Sequence, residues 1–394
     1  MTFLAIAALL IAALLIAGLA VRVLSRRTPA GAGSTGPEPA TPAAATMPPA
    51  ARAAVAAPAR KRPLPTELVG FRVIGAHELD AESRQAVLTT FQDVPRPPRL
   101  LHQLLSPDFL DRASSAELAD LIAAEPVIAA RVLSTVNSTH YALKQPVQSI
   151  EKGVNHLGLT TVRSICMQYL LIATLRADGP ERQQVLDRSW RASGLASELV
   201  QGLAARLELP DRGALVSAVV LSFLGRLATA ATVPREVLAQ IPETGYLERC
   251  QAEQRLLGLT APEVGRLLMQ HWALPPGLID DATAAGSVRP DARPEADPVL
   301  ENRRALCYLC ARVSERLVDG RLQSLQQLDF DAEGDADFHR LQGGLNEALM
   351  ARAGEALRSP ELQALAARML RAASPVAPAA AAAPTKQGQA QTVA

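Results

Sequence analysis

The amino-acid sequence predicts an all-α fold. Alanine and leucine dominate the 394 residues and aromatic residues make up only 3% of them, a composition that favours helices. Apolar residues recur at three- and four-residue spacing through the middle of the chain, and no stretch shows the strict alternation of a half-buried strand. About 300 residues lie between two low-complexity ends, which is enough for a sizeable hydrophobic core.

Charge and cysteine content exclude several functions. Lys and Arg total 40 against 39 Asp and Glu, so the formal net charge of +1 provides no field that would attract nucleic acid. The four cysteines are too few for a disulfide framework. Cys307 and Cys310 form a C-x-x-C, but they lack the second pair or nearby histidine that a metal site needs. We expect both thiols to be reduced and packed in the core.

The N-terminus predicts a membrane anchor in residues 1–24. Phe3 to Val21 is an uninterrupted apolar run that is long enough to cross a bilayer. No basic residue precedes it, and Arg22 and Arg26 follow it, which favours an uncleaved anchor over a cleaved signal peptide and places the following chain in the cytoplasm. We therefore expect a single-pass inner-membrane protein with most of its chain cytoplasmic.

Low-complexity segments flank the part of the chain that can fold. Residues 25–66 are rich in Ala and Pro and predict a disordered linker, and residues 374–394 predict a disordered tail. Residues 67–92 form a lead-in segment, in which GFRVIGAHEL is ambiguous between strand and helix and AESRQAVLTTF favours a helix. The folded part can then stand clear of the membrane.

Helix starts and stops can be assigned in order after this lead-in. Ser114 lies three residues before Glu117, as in a capping box, and Pro126 suits the first residue of the next helix. Ser149 can cap a further helix that ends at Gly158, where a left-handed backbone is tolerated. Beyond residue 288, helices over Val299 to Val318 and over roughly 337–373 form a C-terminal helical extension, residues 289–373.

Ala214 to Ala231 is apolar on nearly every face and carries one charge, Arg226. The stretch is just long enough to span a membrane, but a charge well inside it disfavours that location. We interpret it as the central buried helix of the bundle. Ser222, within this helix, is expected to bond the carbonyl four residues before it.

Motifs between residues 93 and 288 follow one another in an order that carries a family resemblance. Asn137-Ser138 and Tyr141 precede a segment that reads Pro146-Val147-x-Ser149-Ile150-Glu151-x-Gly153, and a later segment reads Gly258-Leu259-Thr260-x-x-Glu263-Val264-Gly265. In this order they resemble the HD-related output domain, HDOD. The resemblance implies that residues 93–288 form an HD-like multi-helix bundle.

One segment is similar to the motif that names the HD superfamily. Val220-Leu221-Ser222-Phe223-Leu224-Gly225-Arg226 resembles the pattern apolar-apolar-His-Asp-apolar-Gly-basic. In HD phosphohydrolases the His-Asp dyad holds a divalent metal, because imidazole and carboxylate supply a nitrogen and an oxygen ligand. Ser222 and Phe223 occupy the dyad positions and supply neither ligand. Other expected histidine positions are also substituted, by Ala192-Ser193, Ala261-Pro262 and Ala284-Ala285.

These substitutions predict no catalytic residue, no metal ligand and no cofactor. His156 and His271 do not match ligand positions, and we expect them to be structural or on the surface. Phe223 is expected to fill the space that a metal would need. Asn137, Ser138 and Tyr141 are candidate partner-binding residues, with capping and turn formation as the alternative interpretation.

The resemblance and the missing ligands together predict a non-catalytic signal-transduction module. It would bind a protein partner, and no nucleic acid, at the cytoplasmic face of the membrane. The alternative is a degenerate HD-type phosphohydrolase that acts on a nucleotide or cyclic dinucleotide, and an unregulated scaffold is a third reading. No motif identifies the partner, the stimulus, the pathway or the oligomeric state.

Overall fold

The computed structural model of the protein describes most of the chain between residues 65 and 371. The predicted anchor at Phe3 to Val21, nearly all of the predicted linker and the predicted tail at 374–394 lie outside the described residues. The described residues are 65–106, 109, 112–138, 141, 143, 145–175, 178–288, 297–328 and 336–371, without the side chains of 342–344.

Every regular element in these ranges is a helix, so the predicted all-α class is confirmed for the part of the chain that the structure describes. Short 3₁₀ turns cover Thr66–Leu68, Leu325–Gln327 and Ala336–Phe338. The α-helices are α1 Ala81–Thr90, α2 Arg99–Leu105, α3 Ser115–Ala123, α4 Pro126–Val136, α5 Ile150–Leu157, α6 Leu159–Thr174, α7 Pro180–Arg206, α8 Arg212–Ser222, α9 Leu224–Thr232, α10 Arg235–Leu238, α11 Tyr246–Leu257, α12 Ala261–His271, α13 Pro276–Gly286, α14 Pro298–Val318, α15 His339–Gly344, α16 Glu347–Leu357 and α17 Pro360–Arg371.

The helix starts predicted in the N-terminal half are confirmed by their caps. Ser114 Oγ accepts the Glu117 N–H at 3.1 Å, and Ser149 Oγ accepts the Lys152 N–H at 3.3 Å. Pro126 is the first residue of α4. Gly158 has φ +85°, a conformation that glycine adopts at no steric cost, and it turns the chain from α5 into α6.

The long helix α7 lies at the centre of the bundle and contacts α6, α8, α9, α14, α16 and α17. The prediction of one continuous central helix over Ala214 to Ala231 was wrong in one respect. The stretch is divided into α8 and α9 at Phe223, whose backbone stays right-handed (φ −87°, ψ −9°). The Phe223 N–H bonds to Val220 O, three residues back, so the regular α-helical bonding is interrupted there.

Burial supports the core interpretation of this apolar stretch. Within the described residues, Arg212–Thr232 is the one helical stretch long and apolar enough to cross a membrane, with a mean hydropathy of 1.8. Of its most apolar part, 83% is buried inside the fold. A helix that is apolar on all faces and covered by other helices is a core element.

Helices α9 and α12 cross at two glycines. A Cβ atom added to Gly225 would lie 1.7 Å from Ala261 O and 2.8 Å from Gly265 N. A Cβ at Gly265 would lie 3.1 Å from Gly225 N. The two backbones are therefore in direct contact, which any side chain at residue 225 would prevent.

The lead-in segment is tied to the bundle by side chains that bond its backbone. Gln254 Oε1 accepts the Ile74 N–H at 2.8 Å, and Gln254 Nε2 donates to Arg72 O at 2.8 Å. Buried Glu263 accepts the Ala76 N–H at 2.9 Å. The ambiguous segment GFRVIGAHEL is thus neither strand nor helix, whereas the predicted helix after it is α1.

The C-terminal extension differs from its prediction in the second helix. Helix α14 matches the predicted Val299 to Val318, but the helix expected over 337–373 is three shorter ones, α15, α16 and α17. Asn346 Oδ1 accepts the Leu349 N–H at 2.8 Å and starts α16, and Pro360 starts α17. A side-chain cap and a proline without an N–H each begin a new helix.

Candidate functional site

The dyad positions Ser222 and Phe223 lie at the junction of α8 and α9. Phe223 is 2% exposed and belongs to the main hydrophobic core, so the prediction that it packs into the bundle is confirmed. Ser222 Oγ donates to Val219 O at 2.7 Å. The expected acceptor four residues back was wrong, because the tightened turn at Phe223 brings the carbonyl three residues back within reach.

One of the other substituted positions, Pro262, lies close to this junction. A Cβ added to Gly286 would lie 3.0 Å from Pro262 Cγ and 3.4 Å from Ser222 O, so the start of α12 and the end of α13 meet the end of α8. Ala192 and Ala285 are buried. The side chains of alanine and proline offer a metal ion no nitrogen or charged oxygen ligand.

Within the described ranges, no three His, Cys, Asp or Glu side chains come together in a way that could hold a metal ion. His156 and His271 are both exposed, as expected for surface residues. Cys307 and Cys310 are 2% and 0% exposed, which confirms that they pack in the core. Burial raises the pKa of the Cys307 thiol to about 12, so it remains protonated and unreactive at neutral pH.

One turn beyond Ser222, a buried set of charged side chains links α9, α11 and α14. Arg226 Nη1 lies 3.6 Å from Glu253 Oε1, and Arg249 Nη2 lies 2.7 Å from Glu315 Oε1. Arg312 Nη1 contacts the other oxygen of Glu315 at 2.6 Å. Burial raises the pKa of Glu315, but the attraction of Arg249 and Arg312 outweighs it and the pKa is lowered. Glu315 is therefore ionised and holds two arginines at once.

Two tyrosines enclose part of this charged set. Arg312 Cζ lies 3.5 Å from the centroid of the Tyr246 ring and 5.4 Å from that of the Tyr308 ring. The two rings meet edge to face, with centroids 6.1 Å apart. Tyr308 Oη donates to Asp337 O at 2.5 Å. A guanidinium over aromatic faces is stabilised by the ring quadrupoles, so the cluster fixes α14 and the 336–338 turn against α11.

A small cleft opens in front of Arg226. Its volume is about 30 Å³, and Ser189, Arg226, Arg249 and Glu315 are among the residues that line it. Arg226 Nη1 has no hydrogen-bond partner. The volume suits about one or two water molecules, far less than the roughly 300 Å³ or more of a typical small-molecule site. A nucleotide does not fit in this cleft.

The candidate partner-binding residues Asn137, Ser138 and Tyr141 make local contacts at the turn after α4. Asn137 Oδ1 accepts the Val147 N–H at 2.7 Å and Asn137 Nδ2 donates to Val147 O at 2.9 Å. The Tyr141 N–H donates to Ser138 O. The side chain of Asn137 therefore closes the turn after α4, in agreement with the turn-forming interpretation.

Tyr141 also connects this turn to α7. Tyr141 Oη donates to Glu198 Oε1 at 3.2 Å. Burial raises the pKa of the Glu198 carboxyl to about 7, although Tyr141 and Arg368 act to lower it. Glu198 is thus an acid that titrates near neutral pH, positioned between the N-terminal helices and α17.

Comparison with known protein families identifies the domain. Residues 94–287 match the family model described as the HDOD domain. This segment is an HDOD domain. The bounds expected from the sequence, 93–288, agree with the match to within one residue at each end, and α14 to α17 lie beyond the HDOD domain.

Three solved structures are similar to this chain. An HDOD domain protein of unknown function from Geobacter sulfurreducens is 22% identical, with a TM-score of 0.51 over 74% of this chain and 98% of that chain. A Shewanella amazonensis protein provisionally described as a phosphohydrolase is 18% identical, with a TM-score of 0.49 over 72% of this chain and 97% of that chain. The MmoQ response regulator of Methylococcus capsulatus is 20% identical, with a TM-score of 0.33 over 66% and 97%. At 22% identity, the likeness to the Geobacter sulfurreducens protein extends to the fold alone. No curated protein matches the chain.

Sequence reasoning missed the charged and aromatic cluster that joins the HDOD domain to α14. Arg312, Glu315 and Arg316 recur at three- and four-residue spacing, which is also the spacing of a solvent-exposed helix face. A buried charged cluster could have been distinguished from a solvent-exposed face by the apolar residues between Leu306 and Val313, which lie next to these charged residues on the same helix.

Proposed function

We propose that the protein is a non-catalytic signal-transduction module that binds a protein partner, tethered to the cytoplasmic face of the membrane by Phe3 to Val21. One observation carries the proposal. At the two positions where the HD motif has its metal-binding dyad, Phe223 is buried in the core and the Ser222 hydroxyl is bonded to a backbone carbonyl. Neither side chain is available to coordinate a metal or activate water.

The surroundings support the same proposal. The positions that approach Ser222 carry Pro262 and Gly286, and the cleft in front of Arg226 holds about 30 Å³. A hydrolase would need an open, hydrated site for its substrate beside the dyad. A domain that keeps the HDOD fold without such a site can still act through its surface, and the fold then serves to present that surface.

Metal and turnover measurements test the non-catalytic part of the proposal. The full-length protein, purified in detergent, is assayed for bound divalent metal by elemental analysis and for hydrolysis of cyclic dinucleotides with added manganese. We expect neither stoichiometric metal nor turnover. Tightly bound iron or manganese together with turnover would instead establish the degenerate phosphohydrolase.

A site-specific crosslink tests the partner. A photoreactive amino acid replaces Val127, which is apolar and 69% exposed on α4, or Gln270, which is exposed near the end of α12, in the full chain in cells. We expect one discrete protein adduct at residue 127 that is absent at residue 270. Identical adduct patterns at the two positions would argue against a specific partner on the N-terminal helices.

A further inference from the structure

Helix α17 lies along a ridge of α7 that contains two glycines. Gly194, Glu198, Gly202 and Arg206 follow one another at four-residue spacing, so they form one of the ridges by which helices pack. A Cβ added to Gly202 would lie 2.5 Å from Leu362 Cδ2. One added to Gly194 would lie 3.1 Å from Gln168 Oε1 of α6 and 3.7 Å from Met369 Cε of α17. The missing side chains leave a groove along α7, and the apolar side chains of α17 lie in it.

Charged residues at the two ends of the groove set the direction of the bound helix. Arg206 Nη2 lies 2.5 Å from Glu361 Oε2 in the first turn of α17. Toward the other end, Arg191 Nη2 donates to Leu370 O at 2.9 Å, and the charge of Arg368 acts on Glu198. The groove therefore accepts an antiparallel helix with an acidic residue at its start and an arginine near its end.

Helix α17 is held less firmly than α14. Of its 12 residues, Leu362 and Ala366 are buried, and Leu365, Met369 and Leu370 are partly buried against the core. The Arg206–Glu361 pair is open to solvent, with side chains 42% and 71% exposed, and such pairs contribute little to stability. A helix with this little burial can leave the bundle without unfolding α7, since regions with few buried contacts open locally.

We propose that the groove on α7 is the partner-binding site of the HDOD domain and that α17 occupies it in cis in place of the partner. The partner is a protein with an amphipathic helix that presents the pattern of Glu361, Leu362, Ala366, Arg368 and Met369, bound as a helix in a groove. This inference rests on the proposed function. It also connects the groove to the candidate turn after α4, because Tyr141 contacts Glu198 on the same ridge.

A labelled peptide of residues 359–371 tests the groove. Its binding is followed by fluorescence anisotropy to the full-length protein and to the Leu362→Asp variant, in which a buried carboxylate expels α17 from the groove. We expect the variant to bind at least about tenfold more tightly than the wild type, because the competing helix in cis has been released. A peptide that itself carries Leu362→Asp should not bind.

A matched pair of substitutions on α7 locates the site. Gly202→Val, added to Leu362→Asp, should abolish peptide binding, because its side chain fills the groove where Leu362 lies. Ala205→Val, at an exposed position of the same helix, should leave binding unchanged. No binding by a Leu362→Asp variant that retains wild-type helicity, or equal binding with Gly202→Val, would overturn the proposal.

Hydrogen exchange of the unmodified protein covers the case in which Leu362→Asp does not fold. Amides of α17 should exchange faster than those of α14, and exchange of α17 only together with α7 would contradict a detachable helix. If the peptide does not bind but the crosslink at residue 127 is still formed, the groove is not the partner-binding site, and the proposed function is unaffected. If the wild type is a dimer and Gly202→Val makes it a monomer, the groove binds a second copy of this chain. That result would overturn the proposal that a different protein binds there.

Discussion

Helices α14 and α17 both lie beyond the HDOD domain and both pack on α7, yet they are held in opposite ways. In α14, 13 of 21 residues are buried, and they include Arg312 and Arg316. In α17, two of 12 are buried, and its ion pair with α7 is exposed. The comparison shows that the end of a family match is not the end of the folding unit, since α14 completes the core and α17 adds Leu362 and Ala366 to it.

The largest effect that would sharpen this comparison is expected at Asp337. Its carboxylate accepts the Leu247 N–H at 2.8 Å and lies 3.3 Å from Arg316 Nη2 on α14. Asp337→Ala should lower the free energy of unfolding by about 3–5 kcal/mol, because it removes the acceptor of the buried Leu247 N–H and the carboxylate beside the buried Arg316 guanidinium. Urea unfolding followed by circular dichroism measures the loss. A loss below about 1 kcal/mol would show that α14 is held no more firmly than α17.

The loss of stability at Asp337 can be compared with that caused by truncating a side chain in the hydrophobic core. Phe223→Ala should destabilise the domain by about 3–5 kcal/mol through the cavity it leaves, whereas Ser222→Ala should cost about 1 kcal/mol or less, the value of one hydrogen bond to the backbone. Both are measured by the same urea titration. An unchanged midpoint for Phe223→Ala would mean that the space at the dyad is open, and a small-molecule ligand would then become the better proposal.

A smaller effect, and one that depends on pH, is expected where α17 meets Glu198. The folded-state pKa of about 7 lies above the ordinary glutamate value of 4.5, so the folded protein binds more protons between these values and becomes less stable as pH rises through that window. Glu198→Gln should remove a penalty on the order of 3 kcal/mol at pH 8 and leave stability unchanged at pH 4. Thermal melts at several pH values test this, and parallel curves for the two proteins would refute it.

The smallest effect should come from the exposed pair that holds the start of α17. Glu361→Ala should change the free energy of unfolding by less than about 1 kcal/mol, and the change should fade at high salt. A double-mutant cycle with Arg206→Ala measures the coupling between the two side chains. Coupling above about 2 kcal/mol that persists in salt would show that α17 is fixed as firmly as α14.

Sequence reasoning was accurate where the determinant is local. Ser114, Pro126, Ser149 and Gly158 mark helix boundaries through bonds or backbone angles within a few residues, and each was placed as expected. The bounds of the HDOD domain were predicted from the family resemblance. The burial of Phe223 and of the two C-x-x-C thiols was also predicted, because long apolar runs leave few alternatives to the core.

What the sequence could not predict depends on contacts between distant residues. The break at Phe223 arises within a run whose composition suits one continuous helix. The arginines of α14 look like a solvated face until Tyr246 and Asp337, from other elements, pack against them. The groove on α7 is likewise visible only once α17 lies beside Gly194 and Gly202, since isolated glycines in a helix do not indicate what covers them.

The contact between Gly225 and Gly265 has a consequence for how this sequence can change over time. The residues that would carry chemistry in an HD enzyme, at positions 222 and 223, have side chains whose identity the fold can vary as long as volume and polarity suit the core. The glycine two residues later has no such freedom, because Ala261 O occupies the place of its Cβ. Substitutions at positions 222 and 223 can therefore change the chemistry of the motif while the close contact of the two backbones preserves the glycine.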